Sequence, residues 1–153
     1  MIVLILPLEP RQTIKAALRK AGTREVGGVL MAEHLGPNRF LVKDLTVHRR
    51  GAFASFVRLV EEAVGRLKTF FEHSRHEYTR YNYVGEWHSH PSFEPIPSTK
   101  DDASMTEIVQ DPAVGANFAV LLVVKLVKDE LVATLHTYLP DGTKHPSTLE
   151  YLG

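Results

Sequence analysis

Apolar and polar positions repeat along this chain with two different periods, which divide it into strands and helices. Runs rich in Ile, Val and Leu predict strands over residues 2–8, 25–33, 39–48, 81–90, 118–127 and 131–139. Apolar residues at helical spacing predict helices over residues 10–20, about 55–76 and 98–110. Turns at Gly36-Pro37-Asn38 and near residues 128–130 are expected to close two hairpins, and the tail from Pro140 is expected to be a loop with room for a short strand.

The predicted elements follow the order strand, helix, hairpin, helix, strand, helix, hairpin. Neither repeats nor low-complexity segments nor linkers interrupt the 153 residues, a length typical of one domain. We therefore predict an α/β fold in a single domain over residues 1–153, with a mixed sheet flanked by helices.

Composition excludes several classes of function. Lys and Arg total 18, as do Asp and Glu, and this balance argues against a nucleic-acid partner. The chain has no cysteine, which excludes disulfides, a thiolate nucleophile and cysteine-bound zinc, and which fits a cytoplasmic location. The apolar start, Met1–Leu8, is short and lacks a basic flank, so it is interpreted as a buried strand rather than a signal peptide. No apolar run approaches the roughly 20 residues of a membrane span.

The stretch from His88 to Asp101 carries a candidate metal site. His88 and His90 are two apart on a predicted strand, so their side chains project from the same face. Pro91 favours an extended backbone at His90, and further prolines stiffen the loop that leads to Asp101. Two imidazoles, a carboxylate and an open position are typical of a catalytic zinc site.

Ser98 and Asp101 also have a purely structural interpretation. Ser-Thr-Lys-Asp resembles a capping box, with Ser98 at the N-cap and Asp101 at the third helical position. The two roles of Asp101 are partly compatible, because an acid in the first helical turn is close to fixed backbone donors.

Hydrolysis at such a site also needs a proton carrier. Glu86, Glu94, Asp102 and Glu25 are the candidates. Glu25 is distinguished by the glycine pair that follows at residues 27–28, since glycines inside an apolar strand indicate close approach by another backbone or a ligand. The alternative is a surface acid at the start of a strand.

These residues together resemble a known family. His88-Ser89-His90-Pro91, followed by Ser98 and Asp101, resembles the JAMM motif of the MPN-domain zinc metalloproteases. Glu25-Val26-Gly27-Gly28 is similar to that family's upstream Glu-x-x-Gly element. The compact chain is most similar to the small prokaryotic, deubiquitinase-like members.

The resemblance implies a role for each matching residue. His88, His90 and Asp101 would bind Zn²⁺, Glu25 would be the general base, and Ser98 would donate a hydrogen bond to the developing oxyanion. The implied reaction is hydrolysis of a peptide or isopeptide bond after the C-terminal glycine of a ubiquitin-like protein. Such a protein or its conjugates, together with conjugation enzymes, would be the partners.

Two alternatives remain open at this point. One is a peptidase that processes a ubiquitin-like sulfur carrier, and the other is a non-catalytic MPN-type scaffold. Zinc-dependent nucleobase deamination is disfavoured because its motif requires cysteines.

For substrate binding, the candidates are an edge at residues 53–56 with Arg50 and Arg58, or the loop of residues 92–97. The other histidines show no metal-binding spacing.

Overall fold

The computed structural model describes residues 1–49, 60–65 and 81–153. Two helices lie on the sheet, α1 (Leu8–Ala21) and α3 (Thr99–Gln110), and residues 60–65 are also helical (α2). The strands are β1 (Val3–Pro7), β2 (Val26–Gly36), β3 (Arg39–Leu45), β4 (His48–Arg49), β5 (Tyr81–Ser89), β6 (Ala119–Val127), β7 (Glu130–Tyr138), β8 (Lys144–Pro146) and β9 (Thr148–Leu152).

The described strands form one mixed sheet in the order β8-β7-β6-β5-β2-β3-β1-β9, with β4 paired to β2. β5 is parallel to β6, and β1 is parallel to both β3 and β9, while the other pairs are antiparallel. This arrangement confirms the predicted α/β fold with a mixed sheet flanked by helices.

Each face of the sheet carries its own apolar core. On one face, α1 packs Ile14 and Leu18 against strand residues that include Trp87. On the other face, α3 packs Met105 and Ile108 against Val29, Leu121 and Val123. Burial of each large apolar side chain contributes about 1.5–3 kcal/mol. Because both faces are covered, β6 is buried continuously from residue 119 to 124.

Local signals placed most elements to within a few residues, and the larger differences are at the first helix, after β3 and in the tail. The first helix begins at Leu8 rather than Pro10, because a proline is tolerated throughout a first turn whose N–H groups have no intrahelical acceptor. The strand predicted over residues 39–48 breaks at Thr46-Val47 into β3 and β4. The tail forms two strands, and β9 pairs in parallel with β1 at the opposite end of the chain.

Several predictions fall on residues outside the described ranges. Of the helix predicted over residues 55–76, only residues 60–65 are described, and they are helical as predicted. The candidate edge at residues 53–56, with Arg50 and Arg58, lies outside, as do His73 and His76. Within the described ranges, the helices are too short or too polar to cross a membrane.

Candidate metal centre

The two predicted histidine ligands lie at the carboxyl end of β5 and share one face of the sheet. His88 and His90 are each only 1% exposed. The Nε2 atom of each ring lies 3.2 Å from Asp101 Oδ2. Among the described residues, His88, His90 and Asp101 form a group whose ligand atoms all lie within 4.8 Å of one another. The residues predicted from spacing are therefore brought together.

Helix α3 supplies the carboxylate from its first turn. The Ser98 N–H donates to Asp101 Oδ2 at 2.9 Å, and the Asp101 N–H donates to Ser98 Oγ at 3.1 Å. This is the predicted capping box. The same Oδ2 atom faces both imidazoles, so the structural and the metal-binding interpretation hold together rather than compete.

The loop between the ligands orients His90. Its Nδ1 lies 3.0 Å from the backbone carbonyl oxygen of Glu94. A carbonyl only accepts, so Nδ1 carries a hydrogen, and Nε2 is the ring nitrogen that is left to bind a metal. Phe93 stacks on the same ring with centroids 4.3 Å apart, and Thr134 Oγ1 donates to the Pro95 carbonyl at 2.5 Å. The loop is thereby fixed to both β5 and β7.

This donor set fits a divalent metal ion. His90 Nε2 faces a carboxylate oxygen 3.2 Å away, and a metal ion between the two atoms would bind both of them. Two ligands at about 2.1 Å from a tetrahedral zinc are about 3.4 Å apart. Two buried imidazoles and a buried carboxylate therefore have the chemistry and spacing of a zinc-type site.

The glycine pair in β2 accommodates this site. A Cβ at Gly27 would lie 2.8 Å from His88 Cβ and would also collide with the Trp87 carbonyl oxygen. A Cβ at Gly28 would meet Thr46, at 2.7 Å from its Oγ1 and closer still to its backbone. The predicted close approach is confirmed on both faces of the strand. The contact between Gly28 and Thr46 lies directly after the end of β3 at Leu45.

Glu25 directly precedes β2 and lies outside the ligand group. Gly27 pairs with His88, and continuing this register by two residues places Glu25 opposite His90 on the same face. The Val26 N–H donates to the buried Ser89 Oγ at 3.0 Å, which anchors the strand directly after Glu25. Glu25 is half-buried and lines a cavity of about 220 Å³ together with residues of α1 and β4, and none of the three metal-ligand candidates lines that cavity.

The other candidate proton carriers are placed differently. Asp102 accepts a hydrogen bond from the Tyr138 hydroxyl at 2.5 Å and forms an ion pair with Lys144 at 3.1 Å. Burial, reinforced by this hydrogen bond, raises the pKa of Tyr138. Glu94 is exposed and contributes its backbone carbonyl. Glu86 is buried behind His88, on the Nδ1 side of its ring.

Two groups of the site were not predicted from the sequence. They are the Ser89 hydroxyl and the Glu94 carbonyl, which both form hydrogen bonds next to the ligands. The only sequence signal for the second is the short loop after His90, which returns a carbonyl to the ring four residues later. A backbone acceptor leaves no side-chain signature.

A family model described as prokaryotic homologues of the JAB domain matches residues 9–138. This chain belongs to that family. The relationship to the MPN/JAMM proteins, first indicated by the motif, is thereby confirmed for most of the chain. The His-His-Asp group of this JAB-family protein is one that can bind a metal.

A solved structure shows the same fold. The solution structure of protein DSY2949 from Desulfitobacterium hafniense superposes with a TM-score of 0.64 at 18% identity. The match covers 97% of this chain and 92% of that one. No curated protein matches the sequence of this JAB-family protein.

Proposed function

We propose that this JAB-family protein is a zinc-dependent peptidase or isopeptidase that cleaves the amide bond after the C-terminal glycine of a ubiquitin-like protein. The observation that carries the proposal is the buried group of His88, His90 and Asp101 at the end of β5. Ser98 adjoins this group through the capping box, and continuing the Gly27–His88 pairing by two residues would bring Glu25 opposite His90. Membership of the JAB family supports the reaction class.

The bound zinc would polarise the scissile carbonyl and lower the pKa of the attacking water. Glu25 Oε takes the proton from that water and later delivers it to the leaving amine. The Ser98 hydroxyl accepts from the Asp101 N–H, so its own hydrogen remains available to donate to the carbonyl oxygen of the substrate. Burial of the three ligands excludes water from the back of the site.

The loop of residues 91–97 supports binding of an extended tail. Phe93 and Ile96 are each 51% exposed, although Phe93 also stacks on His90. An apolar surface this close to the ligands suits the side chains of a tail that leads to a scissile glycine. Ubiquitin-like proteins, their conjugates and conjugation enzymes are accordingly the proposed partners.

A panel of ubiquitin-like proteins, each fused through its C-terminal glycine to a reporter, tests the proposal. The protein is expected to release the reporter from at least one fusion, and a zinc chelator is expected to abolish release. A His88→Ala variant provides the matched control for contaminating proteases. If the zinc-loaded protein cleaves none of the fusions in a chelator-sensitive way, the proposal is contradicted and a scaffold role is favoured.

Ser98→Ala is expected to lower kcat by about 10²–10³-fold, the usual loss of an oxyanion donor, while zinc content is retained. The lost N-cap should also lower the free energy of unfolding by about 1 kcal/mol. Ser98→Asn restores a capping acceptor, so it should recover stability without full activity. Kinetics, metal analysis and thermal unfolding check the three effects, and full activity in Ser98→Ala would remove the assigned role.

A further inference from the structure

Behind the metal centre lies a buried carboxylate that the proposed reaction does not use. Glu86 is 2% exposed, and its side chain projects from the same face of β5 as His88 and His90. Its Oε1 atom lies 3.9 Å from His88 Nδ1, on the opposite side of the ring from Asp101. The His88 ring therefore lies between two carboxylates, with Glu86 on its Nδ1 side and Asp101 on its Nε2 side.

Each histidine ligand needs an acceptor for the hydrogen on its second nitrogen. A histidine binds a metal through Nε2 only when that atom keeps its lone pair, which requires the hydrogen on Nδ1. For His90 the acceptor is the Glu94 carbonyl at 3.0 Å. For His88 the group that faces Nδ1 is the Glu86 carboxylate. The group that faces His90 Nδ1 belongs to the backbone, whereas the group that faces His88 Nδ1 belongs to a side chain that mutation can change.

The charge of Glu86 also suits a divalent ion. At 3.9 Å the contact with Nδ1 is in ion-pair rather than hydrogen-bond range, so the carboxylate acts on the ring through its charge. Burial raises the pKa of Tyr83, and the negative charge of Glu86 raises it further. A buried carboxylate is stabilised by nearby positive charge. In their ionised forms, Asp101 and Glu86 together would balance the charge of a divalent cation.

We propose that Glu86 is a positioning residue for the metal, whose carboxylate, 3.9 Å from His88 Nδ1, favours the ring form with its hydrogen on Nδ1 and so leaves the Nε2 lone pair for the ion. It touches neither substrate nor metal. Its contribution therefore appears in metal affinity and ligand geometry. The inference rests on the proposed metal binding and not on the peptidase activity.

Zinc affinity of the purified full chain, measured by competition with a chromophoric chelator, tests this role without any substrate. Glu86→Gln keeps the size of the side chain but removes its charge, and it is expected to weaken zinc binding by about 10–100-fold. Glu86→Asp keeps the charge and should recover much of that loss. The absorption spectrum of the cobalt-substituted protein should shift in Glu86→Gln, because the imidazole is no longer held in the same orientation.

Glu33→Gln is the matched control, since Glu33 is 6% exposed and pairs with Tyr81 at the far end of β5. It should leave zinc affinity and the cobalt spectrum unchanged. Wild-type zinc affinity in Glu86→Gln, or an equal loss in Glu33→Gln, would overturn the inference. Wild-type protein that binds zinc but cleaves no fusion would instead contradict the peptidase proposal and leave this one standing.

Discussion

Glu25→Gln is expected to lower kcat by about 10²–10⁴-fold, the usual contribution of a general base, with zinc content unchanged. Glutamine keeps the size of the side chain but cannot accept a proton from the attacking water. Glu25 lies outside the ligand group and is half-buried, so neither metal binding nor folding depends on its charge. Steady-state kinetics on a cleaved fusion, together with metal analysis, measure both quantities.

Glu107→Gln is the matched control for this experiment, because Glu107 is an exposed acid on α3. It should leave kcat at the wild-type value. Two results would contradict the role of Glu25. One is a kcat within a few-fold of wild type, and the other is a loss of activity that follows a loss of zinc.

Asp101→Asn is expected to abolish stable zinc binding and, with it, all chelator-sensitive cleavage. The amide oxygen of asparagine can still accept the Ser98 N–H, so the capping box is largely kept. What disappears is the negative charge that lies 3.2 Å from both imidazoles. Equilibrium dialysis against zinc, followed by the reporter assay, checks the two losses.

Asp101→Ala separates the two roles of this side chain. It removes both the charge and the cap, so the metal-free protein should unfold about 1 kcal/mol more easily than metal-free Asp101→Asn. The two variants should be equally inactive. Zinc binding by Asp101→Asn as tight as in the wild type would show that the carboxylate is a cap alone.

Much of the site followed from local sequence. His-x-His on a strand fixes a shared face, Ser98 and Asp101 have capping-box spacing, and the glycine pair indicates close contact. All of these are consequences of short-range geometry, and the structure confirms them. The roles of Glu25 and Ser98 in turnover, and the identity of the metal, remain predictions because they depend on substrate and ion.

The parts that sequence did not reveal depend on distant pairing or on backbone atoms. β9 forms against β1, about 145 residues earlier in the chain, and nothing in the tail itself marks that partner. The break between β3 and β4 lies at Thr46, whose backbone approaches Gly28 too closely for any side chain at residue 28. The Glu94 carbonyl would be the same group in any residue type.

The two glycines of β2 also bring the metal centre close to the core beneath α1. Gly27 is in contact with His88 on one face, while Gly28 is in contact with Thr46 on the other, and Thr46 accepts the indole hydrogen of Trp87 at 2.9 Å. A single backbone without side chains thus separates the metal centre from the core beneath α1. Side chains usually absorb small displacements, and here none is present to do so. A side chain introduced at either glycine would therefore have to displace β5 at His88 or the backbone at Thr46, so the tolerance of β2 to substitution is lowest directly beside the ligands.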